Sequence, residues 1–91
     1  MGGDSWGHGV AALTEAEMAR LAEIDAPYEA KGRAWLYGVC RASGKCEARA
    51  THVLTYNYVT GRAGRISWAE KNVCAEHARR FAAKHGLEVP A

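Results

Sequence analysis

The chain has 91 residues, enough for one domain, and a domain of this length buries only about 60 to 65% of the surface that its unfolded chain exposes. Hydrophobic residues make up 48% of the sequence, but many of them are alanines with little side chain to bury. We therefore expect a metal ion or a disulfide to supplement the core. The sequence has neither a run of eighteen apolar residues nor a signal-peptide pattern, which predicts a cytoplasmic protein without a membrane segment.

The formal net charge of +2 hides an uneven distribution. Residues 1–30 hold six acidic residues and one basic residue, a balance of −5, whereas residues 31–91 hold eleven basic and four acidic residues, a balance of +7. Such asymmetry is typical of chains that contact nucleic acid or a membrane surface. It fits equally well an acidic helix that packs on a basic domain of the same chain.

The N-terminal third predicts an arm followed by an acidic helix. Residues 1–12 are rich in glycine, which predicts a flexible arm and gives His8 no expected function. Thr14 and Glu17 have the spacing of a capping box, and apolar residues recur at helical spacing after them, so we expect a helix over residues 14–26 that ends before Pro27. The sequence thus divides into three predicted segments: the arm at residues 1–12, the acidic helix and linker at residues 13–32, and a basic domain at residues 33–91.

A β-hairpin is predicted in the basic domain. Residues 51–60 are rich in β-branched and aromatic side chains, and the turn sequence at residues 61–64 leads into a second strand at residues 65–69. A further short strand is predicted at residues 33–39. By alternation, one face of the hairpin is expected to carry its even-numbered, largely aromatic residues: His52, Leu54, Tyr56, Tyr58, Ile66 and Trp68.

A second helix is predicted near the C-terminus. It is expected to run from about Val73 to His85, with Asn72 as its N-cap. Gly86 and Leu87 have the pattern of a Schellman motif, which ends a helix with a left-handed residue. Ser67 with Glu70 offers a competing start in the form of a second capping box.

Three cysteines and one histidine have the spacing of a zinc site. Cys40 and Cys46 flank a short loop that contains Gly44, and Cys74 and His77 lie three residues apart in the first turn of the second helix. The hairpin between the two pairs can bring them together, and a helix N-terminus favours the thiolate form of Cys74 that zinc requires. The sequence therefore predicts a Zn(II) site with Cys40, Cys46, Cys74 and His77 as ligands.

Other interpretations of these residues stay open at this stage. Cys40 and Cys46 could form a disulfide that leaves Cys74 free, although an odd number of cysteines argues against it. The cysteines could also be buried as small hydrophobic residues without a metal ion. His52 or His85 could replace His77 as the fourth ligand.

The order of these elements resembles the treble-clef group of zinc fingers over residues 39–85. In that group a cysteine-bearing loop called the knuckle, a β-hairpin and the first turn of a helix hold one structural zinc ion. The resemblance implies a small α+β fold stabilised by zinc, here with an additional N-terminal helix. The knuckle of this chain is longer than the usual one, and Glu47 stands after Cys46 where the group commonly has glycine.

A site closed by four protein ligands has no open position for a reacting water, so we expect no enzymatic activity. The sequence offers three hypotheses of function. In the first, a zinc finger of bacterial or phage type binds DNA or RNA through bases at the hairpin tip and on the last helix. In the second, zinc stabilises a protein-interaction adaptor, and in the third a reactive Cys74 serves a thiol enzyme or redox sensor. The predicted nucleic-acid contacts are Arg62, Arg65, Arg79, Arg80 and Lys84.

Overall fold

The α+β class predicted from the sequence is confirmed in the computed structural model, which describes residues 8–90. Within that range a three-stranded antiparallel sheet of order β1-β2-β3 is accompanied by two α-helices, neither of them long and apolar enough to cross a membrane. The elements in chain order are β1 (Gly9–Ala12), α1 (Glu15–Asp25), 3-10 turns at Ala26–Lys31 and Arg33–Trp35, β2 (His52–Thr60), β3 (Arg65–Val73) and α2 (Ala75–His85).

Helix α1 begins with the predicted capping box. The backbone N–H of Glu17 donates to Thr14 Oγ1 at 3.0 Å, and the backbone N–H of Thr14 donates to Glu17 Oε1 at 2.8 Å. The helix ends at Asp25, and the chain continues into the 3-10 turn that contains Pro27. These local signals place both ends of the helix within one residue of the prediction.

Strand β1 lies in the segment for which the sequence predicts a flexible arm. Its residues pair with β2 from Gly9 opposite Thr55 to Ala12 opposite His52, so residues 9–12 are part of the sheet, contrary to that expectation. The backbone of β1 pairs with the hydrogen-bonding groups along one edge of β2, and Val10 packs against the core. The rest of the predicted arm, residues 1–7, lies outside the described residues, and the division of the chain into three segments stays a prediction.

The hairpin forms as predicted, but its faces differ from the expectation. Strands β2 and β3 pair from His52 opposite Val73 to Thr60 opposite Arg65, so each even-numbered residue of β2 stands opposite an odd-numbered residue of β3. Opposite residues share a face of an antiparallel sheet. The prediction that Ile66 and Trp68 share a face with Tyr56 and Tyr58 is therefore wrong, because the even number of residues in the turn reverses the parity between the strands.

Helix α2 begins later than predicted. Its N-cap is Cys74, and Asn72 instead belongs to β3, where its side-chain amide donates to the carbonyl of Tyr37 at 2.8 Å. The C-terminus of the helix agrees with the prediction. Gly86 has a φ of +68°, and the N–H of Leu87 donates to the carbonyl of Ala82 at 2.8 Å, which is the Schellman bond.

The strand predicted at residues 33–39 is absent from the described structure. Arg33–Trp35 is a 3-10 turn that follows Gly32, whose φ of +106° breaks the chain direction. Val39 makes an isolated β-bridge to Arg49 across the knuckle loop. The alternating pattern therefore does not correspond to a strand, because the segment begins as a 3-10 turn and only Val39 makes a β-bridge.

The hydrophobic core is small and contains metal-ligand candidates. Among the described residues, Val73 and Cys40 are the largest fully buried side chains. They belong to a cluster of five buried residues: Cys40, Leu54, Val73, Cys74 and Ala78. Partly buried side chains, which include Cys46 and Phe81, pack against this cluster. A core with so few large side chains leaves the fold dependent on another source of stability.

Candidate metal centre

The four residues predicted as zinc ligands converge at the base of the hairpin. Cys40 and Cys46 lie on the loop before β2, Cys74 follows β3 directly, and His77 lies in the first turn of α2. Their potential ligand atoms all lie within 4.8 Å of one another. Cys40 and Cys74 are buried, while Cys46 and His77 are partly buried, so the cluster lies at the boundary between core and solvent.

The distances within this cluster suit a tetrahedral ion. Cys46 Sγ and Cys74 Sγ are 4.0 Å apart, and His77 Nδ1 lies 3.4 Å from Cys40 Sγ and 3.2 Å from Cys74 Sγ. A tetrahedral ion with Zn–S bonds of about 2.3 Å separates its sulfur ligands by about 3.8 Å, and a sulfur from a nitrogen by somewhat less. Three separations among the ligand atoms are therefore close to those that a tetrahedral ion imposes, and all of them are within 4.8 Å.

The thiols of the cluster differ in acidity. Burial raises the pKa of the Cys40 thiol, an effect that hydrogen bonds from the backbone of Cys74 and Ala42 oppose only in part. Burial also raises the pKa of Cys74, but contacts with the backbone and ring of His77 and with the neighbouring thiols outweigh it, and the pKa falls to about 7. Cys74 is thus more ready than Cys40 to bind a metal ion as a thiolate.

Arg33 holds the knuckle loop in place through hydrogen bonds to its backbone. Its guanidinium group donates hydrogen bonds to the carbonyls of Cys40 and Cys46, and its Nη2 donates to the carbonyl of Ser43 at 2.6 Å. The knuckle is closed further by backbone bonds from Cys40 N–H to Ala48 O at 2.8 Å and from Cys46 N–H to Ser43 O at 3.3 Å. Arg33 could not be identified from the sequence, because a single arginine thirteen positions before Cys46 carries no recognisable signal.

The charge of Arg33 also suits the site. Three thiolates, one neutral imidazole and one divalent ion together carry a charge of −1. A guanidinium group held against the backbone of both knuckle cysteines offsets that charge in a partly buried position. Arg33 therefore acts on the loop geometry and on the electrostatics of the cluster.

The alternative histidine ligands have other partners. His52 is buried, and its Nε2 lies 2.9 Å from the carbonyl of Pro90 while its Nδ1 lies 2.8 Å from Thr51 Oγ1. The His85 ring stacks on His8 with 4.1 Å between the ring centroids. His77 is therefore the histidine of the cluster, and His8, for which no function is expected, lies against α2.

A disulfide is not formed among the described cysteines. All three are free thiols, and the 4.0 Å between Cys46 Sγ and Cys74 Sγ is about twice the length of an S–S bond. The convergence of all three thiols on one histidine also goes beyond what burial of small hydrophobic residues requires. The four residues could hold a metal ion.

The predicted nucleic-acid contacts fall into two groups. Arg62 and Arg65 are exposed at the hairpin turn, whereas Arg79, Arg80 and Lys84 are exposed on α2. The C-terminal end of α2 lies near the middle of β2, because His85 stacks on His8 and the next residue, Gly9, pairs with Thr55. From Thr55 the strand β2 runs five more residues, or about 17 Å, to the hairpin turn. The structure therefore does not gather these bases into one patch, and Arg80 is already paired with Glu76 at 2.6 Å.

Comparisons with known proteins found no matching family model, no matching curated protein and no matching solved structure. The case for a metal centre therefore depends on the geometry of the four residues in this chain.

Proposed function

We propose that this chain is a small zinc-finger protein in which one structural Zn(II) ion, held by Cys40, Cys46, Cys74 and His77, stabilises a nucleic-acid-binding domain. The observation that carries the zinc part is the mutual approach of the four ligand atoms to within 4.8 Å. Zinc is the metal that three thiolates and an imidazole most commonly bind in a tetrahedral structural site. The order of knuckle, hairpin and helix supports a treble-clef-like arrangement.

The proposed ion has a structural and not a catalytic role. Four protein ligands complete a tetrahedral shell, which leaves no position for a substrate or an activated water. The ion joins the knuckle to the start of α2, where Cys40 and Cys74 are already part of the small core. Three reduced thiols also suit the cytoplasm, where disulfides are rare.

Zinc content and its effect on folding test this part of the proposal. The purified chain is expected to contain one equivalent of zinc by elemental analysis, and a strong chelator is expected to abolish its helical circular dichroism. Return of the signal on addition of Zn(II), but not of Mg(II), would identify the class of ion. A chain that stays folded after complete removal of metal would contradict a structural role.

The nucleic-acid part rests on charge. Residues 31–91 carry a balance of +7, which becomes about +6 after three thiolates bind one divalent ion. Arg62, Arg65, Arg79 and Lys84 are all exposed, so their charges are available to phosphates. Arg80 is expected to contribute less, because its partner Glu76 neutralises it on the helix surface.

The salt dependence of binding tests this second part. The affinity of the zinc-loaded chain for a labelled oligonucleotide is expected to fall steeply between about 50 and 200 mM salt, since each phosphate contact releases a counterion. Arg79→Ala is expected to weaken binding more than Arg80→Ala, which serves as the matched control on the same helix. Affinity that does not change with salt would exclude this function.

A specific observation favours a protein-interaction adaptor as the second candidate. Val59 and Ile66 stand opposite each other on one face of the hairpin, with 68% and 52% of their surfaces exposed. Contiguous exposed apolar surface marks sites where proteins bind one another, and this pair would form part of such a surface. Loss of a stable protein complex on Val59→Thr and Ile66→Thr, with no affinity for nucleic acid, would favour the adaptor.

A further inference from the structure

Exposed aromatic rings line the surface beside the knuckle, where none of the predicted nucleic-acid contacts is among the lining residues. Trp35 and Tyr37 have 53% and 60% of their surfaces exposed, and Tyr28 stacks on Trp35 with an angle of 11° between the rings. Two adjoining cavities of about 470 and 560 Å³ share Tyr37 and Arg41 in their walls. We call this surface, formed by Tyr28, Trp35, Tyr37, Arg41 and Lys71, the aromatic groove.

The aromatic groove is positively charged. Arg41 and Lys71 line its two cavities together with one acid, Glu70. Lys31 adds a further positive charge, because its Nζ lies 5.4 Å from the centre of the Trp35 ring and 5.8 Å from that of Tyr28. Flat rings beside positive charges match a ligand that combines flat bases with phosphates.

The groove is also held rigidly by the backbone around it. The N–H of Tyr37 donates to Asp25 Oδ1 at 2.7 Å, and its carbonyl accepts a hydrogen bond from Asn72 Nδ2 at 2.8 Å. Arg41 Nη1 donates to the carbonyls of Ala34 at 3.2 Å and Leu36 at 3.0 Å. Groups fixed before binding lose less conformational entropy when a ligand arrives.

The groove is coupled to the metal centre by the chain itself. Arg41 follows the ligand Cys40, and its backbone N–H donates to the carbonyl of Asn72 at 2.8 Å, two residues before the ligand Cys74. An ion that joins Cys40 to Cys74 would therefore also fix the loop segment on which Tyr37 and Arg41 lie.

We propose that the aromatic groove binds single-stranded nucleic acid by stacking bases on Trp35 and Tyr37 while Lys31, Arg41 and Lys71 contact the phosphates. This inference rests on the proposed nucleic-acid function and deepens it. In a duplex the faces of the bases are covered by their neighbours, so rings that stack on bases select single strands. An acidic peptide would use the charges but not the flat rings, which makes it the alternative occupant.

The test measures binding of a labelled oligothymidylate of about 15 nucleotides, and of a duplex of equal length, to the zinc-loaded full chain by fluorescence anisotropy. Trp35→Ala and Tyr37→Ala are each expected to weaken binding of the single strand about fivefold or more. Trp35→Phe and Tyr37→Phe, which keep a ring, are expected to stay within about twofold of the unmodified chain. Tyr58→Ala is the control, because Tyr58 is 43% exposed on the hairpin outside the groove; zinc content verifies the fold of every variant.

The outcomes separate the groove from the proposed function. Oligothymidylate binding could depend on salt and yet be unchanged by Trp35→Ala and Tyr37→Ala. That result would show that the aromatic groove is not the binding site, while the nucleic-acid function would stand. Equal affinity for the duplex, or binding of polyglutamate in place of oligothymidylate, would also overturn it. If neither nucleic acid binds at low salt, both proposals are wrong.

Discussion

The carboxylate of Asp25 and the backbone of Gly38 lie so close that a side chain at position 38 has no room. Asp25 Oδ2 accepts a hydrogen bond from the Gly38 N–H at 2.7 Å, and a Cβ atom on Gly38 would lie 2.9 Å from the same oxygen and 3.7 Å from Leu21 Cβ. The contact fastens the end of α1 to the segment that leads into the knuckle. Asp25, which lies in the acidic N-terminal segment of the sequence, is thus hydrogen-bonded to the basic domain.

Gly38→Ala is expected to destabilise the protein by about 1–3 kcal/mol, because the new methyl group forces the carboxylate away from its two backbone donors. The free energy of unfolding, measured with urea on the zinc-loaded chain, reports the change. Gly44→Ala is the matched control, since a Cβ atom there meets nothing within 4 Å. Equal stability of the two variants would show that the contact with Asp25 contributes nothing.

Arg33→Ala is expected to lower zinc affinity by roughly 10- to 100-fold, which is the usual effect of removing a group that orients metal ligands through hydrogen bonds. The change frees three carbonyls of the knuckle loop from their donor. Arg33→Lys is expected to recover only part of the loss, because an ammonium group lacks the planar fork of donors. Competition with a chromophoric chelator gives the affinities.

A matched control for Arg33 is available on the same loop. Arg49 is exposed, and its replacement by alanine removes the same charge as Arg33→Ala. Unchanged zinc affinity in Arg49→Ala would show that the effect of Arg33 depends on its hydrogen bonds. An equal loss in both variants would reduce the role of Arg33 to general electrostatics.

Substitution of the histidine ligand tests the composition of the site. His77→Ala is expected to abolish tight zinc binding, whereas His77→Cys is expected to keep it with four thiolates. Cobalt(II) in place of zinc would report the change, since its visible spectrum differs between three and four sulfur ligands. Normal zinc content in His77→Ala would show that another group is the fourth ligand.

Zinc affinity is expected to fall as the pH falls, because protons compete with the metal for the thiolates. The metal-free chain is expected to be unfolded, so its three thiols have the ordinary pKa of about 8.5 and are protonated below that pH. Zinc binding then releases about three protons, and the logarithm of the affinity is expected to fall by about three for each pH unit between pH 8 and pH 6. Competition titrations between pH 6 and pH 8 measure this slope, and a constant affinity would contradict it.

The features that could be predicted from the sequence are those set by neighbouring residues. The capping box of Thr14 and Glu17 and the Schellman motif at Gly86 each depend on a few adjacent positions, and both are present in the structure. The metal-ligand candidates could be found because cysteine and histidine are rare and their spacing carries information. The hairpin was visible in its β-branched and aromatic residues.

The features that could not be predicted depend on contacts between distant residues. Asp25 and Arg33 each bind backbone groups at least seven positions away, and such bonds leave no pattern in the sequence. Asn72 has the chemistry of an N-cap, but its side-chain amide donates to the carbonyl of Tyr37 and its own carbonyl accepts from the N–H of Arg41, so Cys74 occupies the cap instead. The faces of β3 are a different case, because the four-residue turn at residues 61–64 already implies that even-numbered residues of β2 stand opposite odd-numbered residues of β3.

The position of the hairpin between the two pairs of candidate ligands determines how the protein would acquire and lose the proposed zinc ion. Cys74 and His77 are three positions apart, whereas Cys46 and Cys74 are separated by 28 positions that include both long strands. An unfolded chain can offer zinc only one local pair at a time, and the full shell exists only after β2 and β3 have paired. We therefore expect release of zinc to be limited by opening of the hairpin, at a rate that excess chelator does not increase.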